Sequence, residues 1–453
     1  MTGALLQSRA QALAASIEGF VPEPERAGHI SAYDGMLLTT EGLAAPPGTQ
    51  IRVDADSGAL AAEVVGFRGK QLLLMALARG AVAPGARAVV EGRADDVPVG
   101  PALLGRVVDS MGAPIDGRGP ILSAGSWPLH GRPLPPLDRS EVSQPLPTGV
   151  RTIDALFTLG RGQRVGLIAG SGVGKSVLLQ QLVEGAAADA VVVGLVGERG
   201  REIAGFVDGL PDAARARTHI VAVPADHAAP LRVRGALRGL AVAEWLRSQG
   251  LHVLLLLDSL TRAAHAQREV GLAVGEPAGT RGYPASALAL IARLVERAGN
   301  DRKSGGAITA LLTVLADGDD VVADPVVDTA RGVLDGHIIL DRAIAARGRF
   351  PAIDLAYSVS RTMPACTTPA HRAAAAELKR DNALIENSRD LLAMGAYAPG
   401  QDKALDRALA RQPALEAFLA QDRGQQADFA TSIATLVQGW PDTGMARKSG
   451  PTP

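Results

Sequence analysis

The sequence predicts an α/β core, built on a mostly parallel sheet, set between a small N-terminal β-barrel and a helical C-terminal domain. Three observations predict it. Residues 25–95 hold short apolar runs broken by turns, residues 151–364 alternate apolar runs with helix-favouring segments, and the chain beyond 368 is rich in Ala, Leu, Glu, Lys and Arg. Short, evenly spaced strands suit a barrel. Alternating strands and helices suit a parallel sheet covered on both faces. The last composition favours helix.

Taken in order, residues 1–24 place Leu6, Ala10, Leu13, Ile17 and Phe20 at alternating steps of four and three, the seam of an amphipathic helix that could receive another chain or fold back on the barrel. The barrel, 25–95, has its expected strands at 36–40, 50–54, 60–67, 71–77 and 88–91, with Gly69 turning the chain between the third and fourth. The core domain spans 96–365, entered through an extended segment, 96–150. Its Pro-rich part, 133–147, is expected to resist both helix and sheet, because proline lacks an N–H and fixes φ. Inside the core the expected strands are 165–169, 191–196, 219–223, 253–257 and 307–315. Residues 366–440 make the helical domain, and 441–453, with little to bury, read as a flexible tail.

The length of 453 residues allows two or three domains. With 46 Lys+Arg against 47 Asp+Glu, net charge suggests neither nucleic acid nor an anionic membrane as a partner. Aromatic residues, at 3%, leave little for base-stacking platforms. The single cysteine, Cys366, cannot close an intramolecular disulfide, and no Cys/His cluster has zinc spacing, so a reducing, cytoplasmic setting is expected. No apolar run approaches the roughly 18 residues of a membrane span. The N-terminus lacks a basic region followed by an apolar one, so no secretory signal is expected.

The strongest motif is Ala169-Gly170-Ser171-Gly172-Val173-Gly174-Lys175-Ser176, after an apolar strand and before a helix opening at Val177. This is a phosphate-binding loop in its structural context, although Ala169 stands where the usual pattern begins with glycine. Glycines let successive backbone N–H groups turn toward a phosphate, and the helix adds its positive end. Lys175 would reach the β- and γ-phosphates of ATP, and the Ser176 hydroxyl would be a ligand of Mg²⁺. Glu198 closes the next strand, where ligands of open α/β sheets gather, and could orient or deprotonate an attacking water. Asp258 ends the apolar run 253–257 and suits a second Mg²⁺ contact; the bland alternative is a helix cap. Arg361 is the candidate for an arginine that stabilises phosphoryl-transfer charge from a neighbour.

Together these elements resemble the catalytic subunits of F- and V-type rotary ATPases and, more closely, the ATPases of type III secretion, with a RecA-like P-loop core. The resemblance runs over nearly the whole chain. It includes Gly162-Gln163-Arg164, DSLTRAAHAQRE at 258–269, GEPAGTRGYP at 275–284, LVERAGN at 294–300 and LDGHII at 334–339. It implies that Glu198 is the catalytic glutamate, Asp258 the metal-site aspartate and Arg361 the finger acting on the adjoining subunit's nucleotide. It also implies a place near the γ-phosphate for Arg199, and for Phe350 a place against the adenine. A glutamate and a finger on one chain imply a homohexameric ring. The acidic loop of proton-driven synthases is not evident in 371–390.

The segments 101–107, 394–397 and 414–419 resemble the flagellar branch, while Pro399 and Gln401-Asp402-Lys403 depart from its wording. That branch implies ATP-driven export of flagellar proteins, in which hydrolysis helps release chaperones and deliver substrates to the export gate. The implied partners are a regulator on the N-terminal helix, a coiled-coil stalk protein, chaperone–substrate complexes and the gate, at the inner face of the cell membrane. No nucleic acid is expected. The rival readings are a virulence-associated secretion ATPase, a Rho-like RNA translocase, which shares the P-loop and the Asp-Ser-Leu-Thr-Arg run, and a non-catalytic ring subunit, against which Glu198 argues.

Overall fold

The computed structural model describes residues 25–56, 58–93, 95–315 and 324–440. The helix expected in 1–24 and the tail expected in 441–453 lie outside the described residues. The chain divides into two compact units, 1–93 and 94–453.

The first unit is a closed antiparallel barrel of β1 (Ala27–Tyr33), β2 (Leu37–Glu41), β3 (Thr49–Ala55), β4 (Gly58–Arg68), β5 (Gln71–Ala76) and β6 (Arg87–Arg93), in the order β1-β2-β5-β4-β3-β6. Alternation drives it: Ile51 and Val53 point inward and are fully buried, while Gln50 and Arg52 between and before them remain partly exposed. Closure leaves no free sheet edge to pair with another chain. β1 was not among the expected strands. Its sequence, AGHISAY, offers one large aliphatic residue, Ile30, too little for an alternation signal, and the strand forms because both β2 and β6 need a partner.

The second unit is organised by one sheet. Its strands in spatial order are β14 (Val359–Ser360), β13 (Gly336–Leu340), β8 (Arg164–Ala169), β12 (Ala307–Leu315), β11 (His252–Asp258), β9 (Ala190–Glu198), β10 (Thr218–Pro224) and β7 (Val107–Val108). All neighbours along that path are parallel except β14, which runs antiparallel to β13. Being covered on both faces, the central strands are apolar at most positions and buried along nearly their whole length. Val191, Val193 and Leu195 enter one core, and Ala190, Val192 and Val196 the other.

One face carries α1 (Arg151–Leu156), α2 (Lys175–Gly185) and α3 (Gly200–Asp208); the other carries α4 (Ala229–Ser248), α5 (Leu260–Val274) and α6 (Ala285–Glu296). α2 buries Leu178, Leu179, Leu182 and Val183, each contributing about 1.5–3 kcal/mol of transfer free energy. The C-terminal helices α7 (Pro369–Asn387), α8 (Lys403–Leu419) and α9 (Phe429–Gln438) close the α2 side. Leu378, Leu415, Phe418 and Leu436 join the same core as Leu156, Phe157 and Val165. His371 Nε2 sits 2.7 Å from Ala155 O, fixing α7 to the end of α1.

The Pro-rich entry segment corrects the expectation that it forms no sheet. Arg139–Ser140 pairs with a short strand at Gly299–Asp301, and Pro145–Leu146 pairs with Leu159–Gly160. Proline removes a donor but keeps its carbonyl, so pairings of two residues at an edge survive.

Candidate active site

Four consecutive strands, β8, β12, β11 and β9, bring residues to one edge of the sheet. β8 runs out at Ala169 into the loop 170–174, where Gly172 and Gly174 have φ of 79° and 85°. A Cβ on Gly172 would meet nothing within 4 Å, and Ser171 and Gly172 are exposed, so no side chain packs over this part of the loop. Backbone N–H groups of such a loop at the start of a helix are a cradle for phosphate.

Lys175 opens α2, and its Nζ donates to Asp258 Oδ1 at 2.6 Å and to Glu198 Oε1 at 3.4 Å. Sheet order explains the meeting: β9 and β11 are neighbours, Leu195 lies opposite Asp258, and Glu198 extends beyond it. Thr313, one residue past the partner of Leu257 on β12, donates its hydroxyl to the same Asp258 oxygen at 2.6 Å. Burial, followed by the charge of Asp258, pushes the Glu198 carboxyl up to about 7, against the opposing pull of Lys175 and Arg262. One ammonium between two carboxylates leaves the cluster short of positive charge. Ser176, exposed in the first turn of α2, and Asp258 offer hard oxygen donors of the kind Mg²⁺ takes.

Phe350 is not an ordinary core residue: it is 44% exposed, and its ring lies 3.2 Å from where a Cβ on Gly174 would sit. Beside it, Gln421 N donates to Phe350 O, Gln181 donates to Asp422 O, and Arg423 donates to Gln180. The segment after α8 is thereby held against α2, next to the phosphate loop.

Two candidates stand apart from this cluster. Arg199 caps α3 with its side chain 72% exposed, 3.8 Å from Glu202. Arg361 follows β14, donates its backbone N–H to Asp335 O and a guanidinium N–H to Leu334 O, and is otherwise exposed. It belongs to the opposite edge of the sheet, because Ser360 pairs with Gly336, where β13 begins, whereas Ala169 pairs with Leu340, where β13 ends.

Sequence reasoning assigned no role to Thr313, Arg262 or Arg342. Arg262, within the 258–269 motif, brings its side chain under Gly197 and has a buried Nε with no hydrogen-bond partner among the described residues. Arg342 reaches 3.7 Å from where a Cβ on Gly170 would sit. The motif around Arg262 was the one available signal; the other two are revealed only by register.

The phosphate loop, the lysine and the strand-end acids agree with what the chain resembles. Residues 149–360 match the model of the ATP synthase alpha/beta family, nucleotide-binding domain, and 367–438 match the T3SS EscN ATPase C-terminal domain. The flagellum-specific ATP synthase of Salmonella typhimurium is 45% identical over 430 residues, covering 92% of this chain and 94% of its own. The chain belongs to the flagellar and type III secretion ATPases. The type 3 secretion system ATPase of Sinorhizobium fredii, another relative in this family, is 44% identical over 383 residues, covering 84% and 83% of the two chains. The assembled ATPase EscN of enteropathogenic E. coli superposes with a TM-score of 0.86 at 37% identity, covering 91% of this chain and 99% of its own. EscN in complex with its central stalk EscO superposes with a TM-score of 0.83 at 36% identity, with the same coverage. The fold class expected from the sequence is therefore the fold of this family, and the protein is a P-loop ATPase. Among the described residues no helix is long and apolar enough to cross a membrane.

Proposed function

We propose that this ATPase hydrolyses ATP at sites shared between identical subunits of a hexameric ring, and that turnover serves the export of flagellar proteins. The observation that carries the shared site is the placement of Arg361. Five residue steps along β8 separate the edge that holds it from the edge that holds the phosphate loop, about 17 Å at the usual rise per residue. That is beyond the reach of a side chain, so Arg361 does not serve its own chain's phosphate loop, which supports its acting on a nucleotide bound by another chain.

Within each site Lys175 and the N–H groups of 170–176 bind the β- and γ-phosphates, and Glu198 orients the attacking water and takes its proton. Phe350 packs on the adenine. Arg199, exposed as it is, approaches the γ-phosphate only when a nucleotide or a neighbouring subunit draws it in. Ser176 and Asp258 would hold Mg²⁺, which when bound offsets phosphate charge. The relatives named for flagella and the EscN–EscO complex support export and a stalk partner. The remaining partners are a regulator on the N-terminal helix, chaperone–substrate complexes and the export gate, at the cytoplasmic face of the membrane. Secretion of virulence proteins is the second reading, favoured by the likeness to EscN.

The test is ATPase rate per subunit against protein concentration, together with rescue of motility in a strain lacking its flagellar ATPase. A rate that climbs with assembly, absent in Lys175→Ala, and restored motility are expected. A flat rate contradicts the shared site, and a climbing rate without motility favours the second reading.

A further inference from the structure

Gln163 lies immediately before β8 and is fully buried. A buried side-chain amide must find partners for both its oxygen and its nitrogen, and this one finds them on three separate segments. Its Oε1 accepts from Gly160 N at 2.9 Å. Its Nε2 donates to Asp335 O at 3.2 Å and to Ser360 Oγ at 3.1 Å, and Ser360 Oγ in turn donates to Thr158 O at 2.9 Å.

The Asp335 carbonyl that receives Gln163 is the same one that receives the backbone N–H of Arg361, at 2.9 Å. Ser360, the other partner, is the residue preceding Arg361. Arg164 then fixes Asp335 from the other side, its Nε and a terminal nitrogen donating to the two carboxylate oxygens at 3.0 and 3.1 Å. Gly336 permits the approach, since a Cβ there would lie 2.4 Å from Val359 O and 3.3 Å from Gln163 Nε2. The strand that carries the phosphate loop at one end therefore grips, at its other end, the two residues from which Arg361 projects.

We propose that Gln163 is a positioning residue for Arg361: it fixes the backbone of the finger offered to the neighbouring subunit, through Asp335 and Ser360. Its effect on catalysis falls on the neighbour's nucleotide and not on its own. The inference rests on the shared-site reading of Arg361.

A misplacement of about 1 Å at a charge-stabilising group costs on the order of 10²-fold in rate. Gln163→Met keeps the volume and removes both polar atoms, and is expected to lower kcat on the order of 10–100-fold while leaving the dissociation constant for ADP within about two-fold. A defect in folding would also lower kcat, so the deciding readout is the partner that rescues it. Gln163→Met is mixed in equal amounts with Glu198→Gln and, separately, with Arg361→Ala, and Mg²⁺-ATP hydrolysis is measured. A finger defect is rescued by Glu198→Gln subunits, whose own finger is intact and whose neighbour supplies an intact Glu198, and is not rescued by Arg361→Ala subunits.

Rescue by Arg361→Ala instead would place the effect in the variant's own phosphate loop, and rescue by neither would make Gln163 a folding residue; both overturn the proposal. The control is the mixture of Glu198→Gln with Arg361→Ala. If that pair restores nothing, the shared site itself fails and the proposal with it; if it restores activity and Gln163→Met falls in the wrong class, only the proposal fails. Should Gln163→Met not fold, Ser360→Ala, which removes the other half of the contact, takes its place under the same two mixtures and must show the same pattern of rescue.

Discussion

The two edges of the central sheet are built from the same strands and do different things. At the carboxyl edge, Ala169, Glu198 and Asp258 end β8, β9 and β11, and the groups that follow stay partly open to solvent: Gly172 faces empty space and Ser176 is exposed. At the amino edge, Gln163 is tied to Asp335 and Ser360, Arg164 to Asp335, and Thr309 to His252 and Gly162, by hydrogen bonds. One edge keeps polar groups available to a ligand. The other ties many of its polar groups to one another, and Arg361 lies exposed there. The contrast teaches where chemistry ends and support begins, and it puts Arg361, the proposed finger, on the supporting edge.

The largest effect that could break this division is at Arg361. Arg361→Ala should lower kcat on the order of 10³–10⁵-fold, as for other arginine fingers, while ADP binding, measured by calorimetry, stays unchanged. Loss of binding as well would place Arg361 on its own subunit's nucleotide. Next, Glu198→Gln should cost on the order of 10²–10⁴-fold in steady-state turnover, the range for a general base, with ATP still bound. Phe350→Ala should raise KM several-fold with kcat little changed, since an aromatic contact on a base is worth about 1 kcal/mol. An equal loss of kcat would remove Phe350 from the adenine site.

The smallest effect on turnover is expected from His252, and there the readout is stability. Burial holds its imidazole at about 4, below the ordinary 6.5, and its Nε2 lies 2.8 Å from a Thr309 hydroxyl that already accepts from Gly162 N. The folded chain thus keeps His252 neutral while the unfolded chain takes up the proton. Stability from this group is present above 6.5 and is lost as the pH falls toward 4, by on the order of 3 kcal/mol. Thermal unfolding between pH 7 and pH 5 should show a smaller decline in His252→Gln than in the wild type, with hydrolysis at pH 7.5 unaltered. A changed rate would show the amino edge to be more than support.

How much of this could be read from the sequence follows the same division. The phosphate loop, Glu198 and Asp258 are legible because each sits at the end of an apolar run, where sequence neighbours specify the position, and the structure brings Lys175, Glu198 and Asp258 within hydrogen-bonding distance. Thr313 and Gln163 are not legible as site residues. A threonine inside a strand and a glutamine before one have ordinary explanations, and their partners lie 55 and 172–197 residues away. Only the order of strands in the sheet places Thr313 against Asp258, or Gln163 under Ser360. The barrel shows the same limit: β3 and β4 alternate and β5 is a continuous apolar run, signals strong enough to be seen, whereas β1 depends on partners distant in sequence.

The most direct test mixes Glu198→Gln and Arg361→Ala subunits, each inactive alone, and measures Mg²⁺-dependent ATP hydrolysis at a concentration where wild-type subunits assemble. Shared sites predict that mixing restores a fraction of wild-type turnover, at interfaces where an intact Glu198 meets an intact Arg361. A mixture as inactive as its components, under conditions that assemble the wild type, would contradict them.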